Sequence, residues 1–386
     1  VIYLDNSATT RVYPEVVDVM TNVMQKVFGN PSSLHGLGVQ AERLVDQARK
    51  VVAQVLRSSP QEILFTSGGT ESNNIAVKGI AEQYCQRGKH LVTTEIEHAS
   101  IHEVFRHLEN RGWKVTYLPV DSWGRVSPDD VEKALTDETV LVSVMHTNNE
   151  TGTIQPIREI GKRLKKYPKV FFHVDAIQSF GKIDLIPSQS QIDLLSFSGH
   201  KLHGPKGVGG LYIRKNLLLT PLLHGGGQER GLRSGTQNVP GIAGFAKALI
   251  MTHEQRLDFL QRTQEWKELL LKKLNSSLSQ LKVNGDLQRD GGASYLLNLS
   301  FPGLKSEVLV HALEQEQVYV SSKSACSSKV EVSSRVLKAM GLSDQESIGA
   351  IRISMGYDTT KEDIEKCAEA LIRVIPRLQQ VMRVHK

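Results

Sequence analysis

The chain has 386 residues, 40% of them hydrophobic and 23% charged, with a net charge of +6. That length and balance suit a globular protein of two domains, or one large domain with an appendage, and supply ample apolar side chains for a core. No apolar run reaches the length that spans a bilayer, and three cysteines without a Cys-x-x-Cys pair exclude a disulfide framework and a zinc site built on paired cysteines. The chain enters a strand-like pattern at Ile2 with no cationic leader, so a cytoplasmic protein with no membrane partner is expected. The densest basic patch, over 162–169, reads as the solvated end of a helix stopped by Pro168. No nucleic-acid-binding motif accompanies it, so no direct nucleic-acid contact is expected.

Between residues 41 and 250, helical and extended apolar periodicities alternate. The pattern predicts a helix over 41–56, a strand over 62–66 and a helix over 71–86 opened by a Gly-Gly turn. A strand over 90–94, a helix over 100–110 and strands over 115–120 and 140–145 follow. A helix over 157–166 leads to strands over 170–174 and 192–197. Several strands are continuously apolar, as in a mostly parallel sheet covered on both faces. Past Gly241 the character changes. A long helical pattern covers 242–274, with a break or bend expected inside it. Then come an extended segment over 294–301, a helix over 306–315, strands over 318–320 and 351–354, and a closing helix over 361–383. The fold class expected is α/β: a large domain, 14–255, on a mostly parallel central sheet flanked by helices, and a smaller α+β domain from 1–13 and 256–386.

The cysteines differ in setting. Cys85 and Cys367 fall in helical patterns, and Cys367 shares a face with Ile364, Ala368, Leu371 and Ile375, as a small core hydrophobe would. Cys326 lies in a polar run, 320–329, without amphipathic period. A thiol there is accessible, and the neighbouring lysines help stabilise its thiolate.

Polar residues that packing does not explain collect where strands end. The loop over 66–73 offers glycines, the Thr70 hydroxyl and a helix amino terminus, which together make a phosphate cradle; a plain helix cap has the same composition. It matches neither GxGxxG nor a Walker loop. His98 follows the strand over 90–94, where an imidazole suits stacking on an aromatic cofactor and proton transfer. His98 and His102 have i, i+4 spacing, but Ala99 stands where a zincin has glutamate and no third ligand is evident, so no metal is expected. Asn148, Asn149 and Glu150 after an apolar strand are costly unless they bind something. Asp175 ends a very apolar strand, and a buried carboxylate needs a cationic partner; a protonated pyridine nitrogen meets that need, with Gln178 placed to donate to a ring oxygen. Lys201, in the run Ser198-Gly199-His200-Lys201, projects from a strand end where open α/β sheets hold ligands. A phosphate cradle, a stacking imidazole, an acid for a pyridinium and a Schiff-base lysine together describe pyridoxal 5′-phosphate.

At these residues the chain resembles the cysteine desulfurases of the NifS/IscS type, within the fold-type I pyridoxal-phosphate enzymes. The resemblance runs nearly end to end. It takes in the segments 3–10, 29–35, 66–74, 97–98, 148–152, 173–178, 198–207, 233–236, 324–326 and 351–354. It implies that Lys201 carries the cofactor, Asp175 pairs with its ring nitrogen, Gln178 contacts its ring oxygen and His98 stacks on the ring. It implies a phosphate site made by Gly69, Thr70, Ser198 and His200, joined by Thr236 from the other subunit of a homodimer. Asn149 and Arg352 resemble the clamp for the substrate carboxylate; Arg352 read alone is also a strand arginine in an ion pair.

The implied reaction converts L-cysteine to L-alanine. Lys201 removes the α-proton, the Cys326 thiolate takes the sulfur as a persulfide, and His98 handles protons on the thiols. The segment 321–334 is then expected to be mobile and to bring the persulfide to an acceptor protein, an iron–sulfur scaffold or a tRNA-thiolation enzyme. Lys323 stands where many relatives have glycine, as a solvated loop lysine or one that tunes the Cys326 thiol or docking. A selenocysteine lyase, or another pyridoxal-phosphate lyase or aminotransferase of the same fold, is the alternative.

Overall fold

The computed structural model describes residues 1–288, 290–322 and 333–384. The chain opens with a short strand, β1 (Ile2–Tyr3), then α1 (Pro14–Lys26), which starts on a proline, and α2 (Gly36–Leu56), whose first turn is capped by His35. The alternating region runs β2 (Ile63–Thr66), α3 (Gly69–Gln83), β3 (His90–Thr94), α4 (Ala99–Glu109), β4 (Lys114–Leu118), α5 (Pro128–Lys133) and β5 (Thr139–Met145). It continues with α6 (Ile157–Leu164), β6 (Phe171–Asp175), α7 (Pro187–Ser190), β7 (Leu194–Ser198) and β8 (Gly209–Ile213). After α8 (Val239–Ser277) come β9 (Lys282–Asn284), β10 (Leu296–Ser300), α9 (Ser306–Gln315) and β11 (Val318–Tyr319). The chain closes with α10 (Arg335–Ala339), α11 (Asp344–Ile348), β12 (Ala350–Ser354) and α12 (Lys361–Val384).

The central sheet has seven strands in the order β2-β8-β7-β6-β5-β3-β4. Strands β7, β6, β5, β3 and β4 run parallel, while β8 is antiparallel to both β2 and β7. The α/β class with a mostly parallel sheet is therefore as expected. The order reverses between β5 and β3, and the loops after those two strands flank the crevice that such a reversal opens. Side chains alternate between two apolar layers. Val142, Phe172 and Leu195 pack on the α2, α6 and α8 side, and Leu141, Phe171 and Leu194 on the α3 and α4 side. A further apolar cluster joins Leu4, Phe259, Leu270, Leu299, Ile353 and Leu371, so it draws on the first residues, the second half of α8, β10, β12 and α12. Cys367 lies in it, its thiol pushed up to about 12 by burial, and is a core hydrophobe as its periodicity predicts.

Several elements differ from the sequence expectations. α8 is one continuous 39-residue helix with no break. Its polar middle satisfies itself internally: Thr252 Oγ1 donates back to the Ala248 carbonyl and Thr263 Oγ1 to the Phe259 carbonyl, and neither proline nor glycine follows Gly244. α3 begins at Gly69, so the Gly-Gly turn is itself the helix amino terminus, and the helix ends before Cys85, which lies half-buried just beyond it. β8 was hidden in sequence because Gly207, Gly209 and Gly210 read as a turn. A Cβ on Gly209 would come within 2.7 Å of the Gly68 Cα, and one on Gly210 would overlap the Phe197 ring, so this strand needs its glycines for close backbone packing. The basic patch at the end of α6 is held by an acid: Arg163 and Lys166 pair with Glu132 at 2.6 and 3.2 Å. No helix among the described residues is long and apolar enough to cross a membrane.

Candidate active site

A cavity of about 180 Å³ lies at the carboxyl ends of β3, β5, β6 and β7. At one end the turn after β2 delivers the amino terminus of α3. Gly68 has φ +153°, open to glycine, and a side chain on Gly69 would overlap Ile177. The backbone N–H groups of the first turn, Thr70, Ser198 and His200 gather there around the positive end of the helix dipole. His200 follows β7 in a single 3₁₀ turn, Gly199–Lys201. Burial, reinforced by the charges of Lys201 and Lys206, pushes its imidazole down to about 3, so it is neutral.

The other end is acidic. Asp175, the last residue of β6, is 4% exposed. Its Oδ1 accepts from the Ile177 N–H at 3.0 Å and its Oδ2 from Asn73 Nδ2 at 2.9 Å. Burial pushes this carboxyl above its usual range, against the opposing pull of those two donors, His98 and Lys201. Asn73 also donates to Ser100 Oγ at 2.9 Å, and Ser100 Oγ lies 2.8 Å from His98 Nδ1. An unbroken polar chain thus joins Asp175 to His98.

His98 caps α4. Its Nδ1 accepts from the Ser100 N–H at 3.1 Å, which assigns the ring proton to Nε2 in the neutral imidazole. Burial lowers its pKa, with Asp175 pulling the other way. His102, by contrast, lies outside the cavity and contacts Glu103. Behind His98, Glu97 is sealed in the crevice between β3 and β5. Its Oε1 accepts from Thr94 Oγ1 at 2.7 Å and from the Met145 N–H at 3.0 Å, and Oε2 has no partner among the described residues.

Lys201 and the first residues of the chain meet on the cavity wall. Lys201 Nζ donates to the Ser7 carbonyl at 2.5 Å and the Ala8 carbonyl at 2.8 Å. Gln178 Nε2 donates to the same Ser7 carbonyl at 3.1 Å and its Oε1 accepts from Ser7 Oγ at 3.2 Å. On the remaining side Arg352, on β12 and 2% exposed, donates to the Asn149 carbonyl at 2.9 Å and to Asp5 Oδ1 at 2.7 Å, while its Nε has no partner among the described residues. The ion pair and the cavity position hold together: Asp5 aims the guanidinium that Asn149 accompanies into the lining.

The structure therefore brings Gly69, Thr70, His98, Asn149, Asp175, Gln178, Ser198, His200, Lys201 and Arg352 to one cavity. Thr236 is exposed and outside the lining of its own chain's cavity. Cys326 and Lys323 lie outside the described residues. The described flanks of that segment are tied to the site. Ser321 and Arg352 exchange backbone hydrogen bonds, Ser334 Oγ donates to Glu150 Oε2 at 2.5 Å, and Arg335 donates to the Glu95 and Glu97 carbonyls. Sequence reasoning missed Ser7, Asn73, Glu97 and Ser100 as individual groups. The signal for Asn73 was present, since an amide inside the apolar run of α3 requires a buried partner.

Comparison with known proteins places this geometry. The family described as Aminotransferase class-V matches residues 2–367. A cysteine desulfurase IscS of Dictyoglomus turgidum is 41% identical over 380 residues, covering 98% of this chain and 96% of that one. Among solved structures, a NifS-like protein superposes with a TM-score of 0.91 at 39% identity over 98% of this chain and all of that one. SspA in complex with cysteine does so with a TM-score of 0.81 at 36% identity, covering 92% and 99%. The chain belongs to the class-V aminotransferase family of pyridoxal-phosphate enzymes, in its cysteine desulfurase branch of the NifS/IscS type.

Proposed function

We propose that the chain is a pyridoxal-phosphate-dependent cysteine desulfurase that converts L-cysteine to L-alanine and holds the sulfur as a persulfide on Cys326. The carrying observation is the polarity of one cavity: anion-binding donors at one end, the Asp175 carboxylate at the other, and Lys201, His98 and Arg352 between them. That donor set fits a flat ring with a phosphate at one end and a protonatable nitrogen at the other. The α3 amino terminus, Gly69, Thr70, Ser198 and His200 would hold the phosphate, with Thr236 added from a second subunit. Asp175 would take the ring nitrogen, Gln178 the ring oxygen, and Lys201 the aldehyde carbon. Bound there, the cofactor supplies an electron sink beside the substrate Cα.

The chain's own residues do the rest. Arg352 and Asn149 hold the substrate carboxylate; the orphan Nε of a nearly buried guanidinium is a donor waiting for an anion. Lys201, released from the Ser7 and Ala8 carbonyls, takes the substrate α-proton. His98, neutral with its proton on Nε2, exchanges protons with the substrate thiol or Cys326. The Cys326 thiolate forms the new S–S bond as the Cβ–S bond of the substrate breaks, and the carbon is reprotonated as alanine. The persulfide passes to an acceptor protein, an iron–sulfur scaffold or a tRNA-thiolation enzyme. The working unit is a homodimer, a reading supported by Phe28 and Leu34, which are 70% and 99% exposed on the α1–α2 connection; it acts in the cytoplasm. Its two domains are 14–255, and 1–13 with 256–386, a division supported by the separate apolar clusters.

Replacing Cys326 by Ser tests the assignment. The variant is expected to bind cofactor with unchanged visible absorbance while losing alanine production from L-cysteine. Undiminished alanine production would favour a lyase or aminotransferase that needs no thiol. Mass spectrometry of the wild-type protein after L-cysteine should place one added sulfur on Cys326, removable by the true acceptor.

A further inference from the structure

Lys182 is a second lysine buried against the same machinery, and the mechanism leaves it unused. It lies in the turn that follows β6, four residues after Gln178, and is only 4% exposed. Its Nζ sits 4.7 Å over the ring of Tyr295, itself fully buried ahead of β10. The Tyr295 hydroxyl donates to the Gln178 carbonyl at 2.9 Å, and the Gln178 amide donates to the Ser7 carbonyl that also receives Lys201 Nζ. Two amines therefore abut one short polar chain from opposite ends.

The charges around Lys182 are those of cations and imidazoles. Lys201 repels it directly, and it acts in turn on His200 and His203 in the turn after β7. The nearest acid along its own segment, Asp184, is taken by Arg256 at 3.0 Å. Among the described residues, Asp175 from β6, His98 ahead of α4 and His200 beside it face Lys201. Burial, then the charge of Lys201, pushes the Lys182 amine down to about 7.

We propose that Lys182 is a positioning residue for Lys201: a second buried cation, linked to it through Tyr295, Gln178 and Ser7, that disfavours a proton on the Lys201 nitrogen. Lys201 must be unprotonated both to capture an aldehyde and to accept a substrate proton, and a neighbouring cation is one way to keep a lysine so. The inference rests on Lys201 being the cofactor-carrying lysine.

The test titrates the visible absorbance of the holoenzyme with pH in wild type, Lys182→Met and Lys182→Arg. Lys182→Met is expected to raise the midpoint of the Lys201-linked chromophore by about one pH unit or more. Lys182→Arg, which cannot shed its charge, is expected to lower it below wild type. Should Lys182→Met fail to fold, Lys182→Arg decides alone. A midpoint that stays put or rises in Lys182→Arg, or that stays put in a folded Lys182→Met, overturns the proposal. Borohydride reduction followed by peptide mapping separates the underlying reading: a chromophore mapped to another lysine defeats the role of Lys201, and one mapped to Lys201 with unmoved midpoints defeats only that of Lys182.

Discussion

The Glu97 carboxyl occupies the crevice between β3 and β5 with hydrogen bonds to one oxygen only, and burial pushes its pKa up to about 8. An unfolded carboxyl titrates near about 4.3. Because the folded value is raised, the stability this group contributes is present below the unfolded pKa and is lost as pH rises through about 8. Glu97→Gln keeps the shape and removes the titration. The melting temperature of Glu97→Gln relative to wild type is expected to climb between pH 6 and 9; a difference flat in pH would show that Glu97 is not protonated in the fold. Arg352 makes the second residue-level case. Its fork spans Asp5 and the Asn149 carbonyl, a geometry an ammonium does not copy. Arg352→Lys should raise KM for L-cysteine by about tenfold or more, with a smaller change in kcat. An unchanged KM would leave Arg352 as an ion-pair residue alone.

At the scale of elements, the amino terminus of α3 shows a conflict between local preference and site geometry. Alanine is a better helix former than glycine by about 1 kcal/mol. Yet a Cβ at position 69 would press on Ile177, whose N–H holds Asp175. Gly69→Ala is accordingly expected to keep the far-UV circular dichroism and apoprotein stability of wild type while weakening cofactor retention about tenfold or more, as a small displacement within a site does. Unaltered retention, measured by dialysis and absorbance, would show that the cradle tolerates a side chain. The same element explains a misread boundary. Gly-Gly before Thr70 is a turn by composition, and only packing against β7 and Ile177 draws the first helical turn back to Gly69.

For the whole molecule, α8 is the connecting strut. Its first half packs with the sheet through Phe245 and Leu249, and its second half with the other cluster through Phe259 and Leu270. At 39 residues it spans about 58 Å at the α-helical rise. Leu257, 68% exposed between those halves, makes little of the core. Leu257→Pro should nonetheless destabilise by about 3 kcal/mol or more, because it removes a backbone donor and clashes in the helix interior. Leu257→Ala should be close to neutral. Equal effects of the two variants would mean that helix continuity across the clusters does not matter.

The order of elements, the parallel apolar strands and the four polar strand-end loops were legible in the residues, since period-two and period-3.6 patterns and helix-end chemistry are local properties. So was the chemistry of Lys201, Asp175 and His98, whose residue types make poor sense in a core. What required the tertiary structure was every relation between distant positions. The antiparallel β8 depends on glycines fitted to Phe197 and Gly68, and the unbroken α8 on a helix satisfying its own polar middle. The Asp175–Asn73–Ser100–His98 chain joins three separate elements, and Ser7 reaches Lys201 across 194 positions. Such contacts follow from how the sheet orders its strands and where the chain ends return. Local sequence determined which groups stand at the strand ends; burial and topology decided which of them meet, and in what charge state.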